Sequence, residues 1–156
     1  MSTRALRIIQ ALATRLGTVA IGDDQTPLAA VYLGREDLFG DDLTFPCASI
    51  VEETEEPQET NRAKAKCVVS YSVIGITKSD PQAPLIAGHA LWDALMLALF
   101  PAEAQRETGF DRLCGLATRV TYTGRAIAPR EDGGQTTSVL ISMTVEYVLD
   151  TTNPSN

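Results

Sequence analysis

Residues 135–150, QTTSVLISMTVEYVLD, alternate almost without a break. Thr137, Val139, Ile141, Met143, Val145, Tyr147 and Leu149 share one side, while Thr136, Ser138, Ser142, Thr144 and Glu146 share the other. Successive side chains of a strand point to opposite faces, so this run describes one long strand with a dry face and a wetter one. Only Leu140 and Val148 break the polar side. The rest of the chain must supply a layer to cover the dry face.

Three further stretches read as strands. Residues 46–53, PCASIVEE, form a core strand that runs out into acid, and residues 63–77 alternate again. There Ala63, Ala65, Cys67, Val69, Tyr71 and Val73 oppose Lys64, Lys66, Ser70 and Ser72. The polar segment between them has Pro57 at its middle, which predicts a hairpin across an exposed acidic loop near 52–62. Residues 117–128 place Val120, Tyr122, Gly124 and Ala126 on one face, with Arg119, Thr121, Thr123 and Arg125 on the other. The turn PREDGG then leads into 135–149.

Two helices complete the layout. Leu6, Ile9, Ala13 and Leu16 recur at helical spacing over 3–16, with Arg4, Arg7, Gln10 and Arg15 available for water. Ser2 or Thr3 is placed to cap the start, and Gly17 stands just past the end. Residues 17–46 break into short apolar pieces, a loop-rich stretch with one or two small strands. The second helix, 84–100, opens on Pro84 and carries Asp93 as its only charge. A helix this apolar needs cover on two sides: the sheet, and then the first helix, a loop or a second subunit. The expected fold is α+β: an antiparallel sheet of about four main strands, with two helices packed on one face. It forms a single domain over 1–156 with flexible ends.

The formal net charge of -7 argues against a protein that grips nucleic-acid phosphates over a large surface. Acidic walls could instead let DNA pass without sticking, or the acidity could simply serve solubility. No apolar run approaches the roughly 18 residues that span a bilayer, and arginines interrupt the N-terminal segment where a secretory signal would be apolar. These features predict a soluble protein made in a cytoplasm. Cys47, Cys67 and Cys114 follow no metal-binding spacing and read as reduced thiols.

A search for chemistry ends without an active site. His89 is the only histidine, and it lies mid-helix among Leu85, Trp92 and Met96 with no Ser or Cys placed for it to activate. His89, Trp92 and Met96 are therefore expected in the core or at a subunit interface. Asp23, Asp24, Asp41 and Asp42 pair up in polar loops without an EF-hand pattern. No catalytic residue, metal or cofactor is expected, and the chain is not expected to be an enzyme.

The layout resembles the tail terminator proteins of long-tailed bacteriophages, the minor tail protein U-like or tail completion family. The helix ALRIIQALATRL, the entry FPCASIVEE, the strand AKCVVSYSVIGI and the helix APLIAGHALWDALMLALF carry the likeness. The closing VTYTGRAIAPREDGGQTTSVLISMTVEYVLD is its most telling piece. The likeness covers 4–149. It departs from shorter members at 52–59 and 103–111.

The resemblance implies a hexameric ring that caps the tail tube, ends its polymerisation and joins it to the head connector. DNA would pass through the ring without specific binding. Localisation would be the head-proximal end of the virion tail after synthesis in the host bacterial cytoplasm, with no membrane contact. The tail tube protein and the head-tail connector protein would be partners. The loops with Glu52, Glu53, Glu55, Glu56, Glu59 and Arg62, and with Arg130, Glu131 and Asp132, would dock them. Two alternatives stand beside this reading. One is another ring component of the virion, a tail tube or head-tail connector protein. The other is a small acidic ligand-binding or enzyme domain.

Overall fold

A computed structural model of the chain describes residues 2–38, 42–103, 111–129 and 135–156. The elements run in the order α1 (Arg4–Leu16), β1 (Ala30–Leu33), β2 (Cys47–Asn61), β3 (Lys64–Lys78), α2 (Pro84–Leu99), β4 (Arg119–Pro129) and β5 (Thr136–Asp150). The strands form one sheet in the order β1-β2-β3-β5-β4. The architecture is α+β, as expected, but the sheet has five strands and is mixed. The four long strands pair antiparallel, whereas β1 pairs parallel with the start of β2. A parallel neighbour needs a long crossover, and the segment after Leu33 provides it. AVYL is too short to show a period, so that pairing leaves no trace in the sequence.

The alternation of 135–149 is realised side chain by side chain. Thr137, Val139, Ile141, Met143, Val145 and Tyr147 are all buried. Their partners on β3 are the matching dry positions: Val69 faces Val145, Tyr71 faces Met143 and Val73 faces Ile141. Slipping the register by one residue would turn this whole set to the wrong side, so the pattern specifies the pairing.

Both helices belong to the core on this dry face. α1 contributes Ile8, Leu12 and Leu16, and α2 contributes Leu91, Leu95 and Leu99, none of them with exposed surface. Each such side chain contributes roughly 1.5–3 kcal/mol by leaving water. Two glycines set how close α2 comes. A Cβ on Gly88 would stand 2.6 Å from Cγ2 of Ile127, and one on Gly75 would stand 3.0 Å from both Leu91 and Leu95.

Thr3 caps α1 by accepting from the N–H of Leu6 at 3.2 Å. The arginines of α1 are not simply hydrated, as helical spacing suggested. Arg4 donates to the carbonyls of Gly115 and Leu116, and Arg7 to that of Ser155. Arg15 forms a two-pronged pair with Asp111, at 2.5 and 2.7 Å, and donates to the carbonyl of Leu99. Their long stems let them leave the helix flank and tie down the chain around it.

The acidic segment is the clearest correction. It is not a loop: β2 runs on to Asn61 and stays paired with β3, with register shifts between Glu52 and Glu55 and between Pro57 and Glu59. The turn is tighter than expected, Arg62-Ala63, with Arg62 at φ 57°. Pro57 is tolerated because β1 pairs with β2 only from Cys47 to Ile50. Beyond that point β2 is an edge strand, where a missing N–H costs no ladder bond.

The opposite face of the sheet is also less wet than its polar pattern implied. At the β1 end, Leu38 covers Cys47 and Ile76 in a second apolar cluster, joined by Tyr32, Leu43, Phe45 and Ile74. Hydroxyl side chains remain partly accessible further along, at Ser70, Ser142 and Thr144.

Candidate assembly surfaces

Three surfaces of the chain present groups that its own fold leaves open. The first is the outer edge of β2 over residues 51–61. Glu52, Glu53, Glu55, Glu56 and Glu59 are all exposed there, and no Lys or Arg interrupts them. The five expected docking carboxylates therefore lie on a strand and divide between its faces. Glu52 sits opposite Tyr71 and Glu55 opposite Val69, on the helix side of the sheet. Glu53 accepts from the Ser72 hydroxyl on the other side, where Glu56 and Glu59 also lie. Arg62 is exposed at the turn. Arg130, Glu131 and Asp132 lie outside the described residues.

Glu55 has a second role that the sequence did not suggest. It accepts the hydroxyl proton of Tyr147, which fastens the acidic edge to β5 across β3. Burial, then the hydrogen bond and charge of Glu55, raise the pKa of the Tyr147 hydroxyl well above its ordinary value. Tyr71 is raised too, by burial first and then by the charges of Glu52 and Glu55. Its hydroxyl is buried without a hydrogen-bond partner among the described residues. Both phenols are held neutral beside carboxylates.

The second surface is the edge made by β4 and the adjoining flank of α2. Arg125 lies over the Trp92 ring at 4.2 Å, and Tyr122 meets Phe100 edge-on. A guanidinium over an indole face is attracted by the ring quadrupole, which presets the position of this cation. His89 reaches the same flank, edge-on to Trp92 with ring centroids 6.1 Å apart. His89 is exposed, so it is a surface residue, while Trp92 and Met96 are partly buried against the core. Arg119, at the start of β4, lies 3.8 Å from Glu146.

The third surface is the outward stripe of α2. The expectation of cover on two sides is met toward the sheet but not along this stripe. Ile86 is 74 % exposed and Leu97 69 %, with Leu85 also open to water. Between α2 and the segment after α1 runs an open groove of about 400 Å³, lined in part by Ala20, Gly22, Asp23, Ala90, Asp93 and Leu97. Its walls bring apolar surface and two carboxylates together.

Among the described residues, no three His, Cys, Asp or Glu side chains gather to hold a metal ion, and no helix is long and apolar enough to cross a membrane. Cys47 and Cys67 are buried and Cys114 is exposed, all in the thiol form. Tyr122 and Arg125, which strict alternation sets on opposite faces, share the helix side because a register shift falls between Tyr122 and Gly124, and neither was expected at a site. Their signal was legible: both stand on a strand whose residues include no acid.

No protein-family model matches the chain, and no curated protein matches it. Among solved structures, a chain of the one described as "Virion of native gene transfer agent (GTA) particle" is similar. It shares 13 % identity across 94 % of this chain and 92 % of that one, with a TM-score of 0.46.

Proposed function

We propose that this chain is a structural subunit of a phage-like virion, a tail terminator that closes into a hexameric ring on the finished tail tube. The ring stops further tube growth and presents a surface to the head connector. One observation carries this reading: among the described residues the sheet ends in two unpaired edges on opposite sides, beside an α2 stripe open to water. Open edges and exposed apolar stripes are completed by association. Two different surfaces on one subunit join head to tail, and such contacts close into a ring when the rotation between copies fits. The sequence resemblance to the tail terminator family supplies the particular role.

In this reading the hydroxyl-bearing face with Ser70, Ser142 and Thr144 looks toward the channel, and the net negative charge keeps passing DNA from adhering. The reading assigns the chain no catalysis and no cofactor. It places the ring at the head-proximal end of the tail, after synthesis in the host bacterial cytoplasm. The tail tube and connector proteins are its neighbours.

The same open edges suit a tube subunit, so the test must separate stopping from growing. Purified chain is added to polymerising tail tube protein, and tube lengths are measured. A terminator shortens the length distribution in proportion to its amount and is found at one tube end. Self-propagation of this chain into long tubes would replace the reading with that of a tube subunit.

A further inference from the structure

The ring reading leaves open which surfaces of neighbouring copies meet, and the charges on the two free edges answer that question. We propose that the acidic outer edge of β2 in one copy docks against the β4 edge of the next, with Arg125 seated on Trp92 as the cationic anchor. The inference rests on the ring reading and adds its interface.

Three features point the same way. The first is charge: residues 51–61 carry five glutamates and no base, while β4 carries Arg119 and Arg125 and no acid. The match is made on the helix side of the sheet. Arg125 is opposite Ile141, on the helix side, as are Glu52 and Glu55. Arg119, on the other side with Glu56, already pairs with Glu146 of its own chain at 3.8 Å.

The second feature is direction. Going across the sheet, β3 runs against β2, β5 against β3 and β4 against β5, so β4 runs opposite to β2. Copies set side by side in one orientation therefore bring β4 and β2 together antiparallel, the arrangement in which edge groups pair directly. The third feature is preorganisation. Stacking on Trp92 holds the Arg125 guanidinium in place before any partner arrives, which lowers the ordering cost of docking.

Glutamate and proline on an edge also serve to discourage indiscriminate strand pairing. That protective function alone would give the β4 edge no reason to carry the opposite charge. An acidic edge that rejects most strands and accepts one cationic edge combines both demands.

The experiment measures self-association of the full chain by light scattering and native mass spectrometry over a wide concentration range, at low and high salt. Glu52→Lys with Glu56→Lys, and separately Arg125→Glu, should each weaken association roughly tenfold or more, and the three changes combined in one chain should recover most of the loss. Melting temperatures check that each variant is folded. If a reversal unfolds the chain, the neutral changes Glu56→Gln and Arg125→Gln replace it, with about threefold weakening expected. Rings that form equally well with all these changes overturn this interface and leave the ring reading standing. A parent chain that stays monomeric at the highest concentration, both alone and with tail tubes, overturns both.

Discussion

Gly88 offers the sharpest test of the packing between α2 and the sheet. A glycine inside a helix normally invites replacement, because alanine gains about 1 kcal/mol in helix propensity. Here the structure predicts the reverse. The new Cβ would lie 2.6 Å from Cγ2 of Ile127 and 3.0 Å from Cγ2 of Thr137, well inside contact distance. Both neighbours are β-branched and sit on strands, so neither can rotate its methyl aside freely. Forcing an extra carbon into a packed core costs roughly 1–3 kcal/mol, and a contact as close as 2.6 Å falls in the upper half of that range, so a net loss of about 1–2 kcal/mol remains after the propensity gain. For a chain of this size that lowers the melting temperature by about 3–6 °C. The assay is thermal unfolding followed by circular dichroism, on G88A, on Ile127→Ala and on the double variant. Ile127→Ala removes the offending methyl, so the double variant should be more stable than the sum of the single losses predicts, by about 1 kcal/mol. A G88A variant that melts higher than the parent would refute the close approach of α2.

The remaining predictions concern individual contacts. Asp111→Ala leaves Arg15 without its carboxylate, and with Asp111 only 4 % exposed the loss should be about 3 kcal/mol in denaturant unfolding. The Tyr147 and Tyr71 hydroxyls are less acidic in the fold than a free phenol, so the stability that they contribute is present below about pH 10 and is lost as pH rises beyond it. A double change to Phe at both sites should flatten that alkaline fall, read as melting temperature against pH. Trp92→Ala should cost about 2 kcal/mol, less than the roughly 3–5 of an enclosed ring, because the indole is only partly buried. His89→Gln should shift stability by less than about 0.5 kcal/mol, since the imidazole is exposed.

The long strands were legible because burial on one face writes a period of two into the chain. In 135–149 every odd position from Thr137 to Tyr147 is buried, as the pattern demands. The second helix was legible by its length and lack of charge. Edge strands resisted the same reading. On β2 beyond Ile50 no second neighbour and no covering layer among the described residues force apolar residues inward, so Glu52 and Glu55 occupy positions that would be core elsewhere. Their polarity read as a loop. The short parallel strand Ala30–Leu33 carried too few residues to show any period. Long-range pairs such as Arg15 with Asp111 leave no local trace, because nothing near either residue announces the other. Of the candidate site, the sequence supplied the acids and the α2 flank. The cations that could answer the acids stood in plain view on β4, yet only the strand order shows that they occupy the opposite free edge.

The central claim is that copies of this chain close into a ring, and electron imaging of the purified protein, alone and with tail tubes, tests it most directly. The account predicts single closed rings with six-fold symmetry and an open central channel, sitting at one end of each tube. Particles that remain single subunits in both samples, or that grow into open-ended filaments, would contradict it.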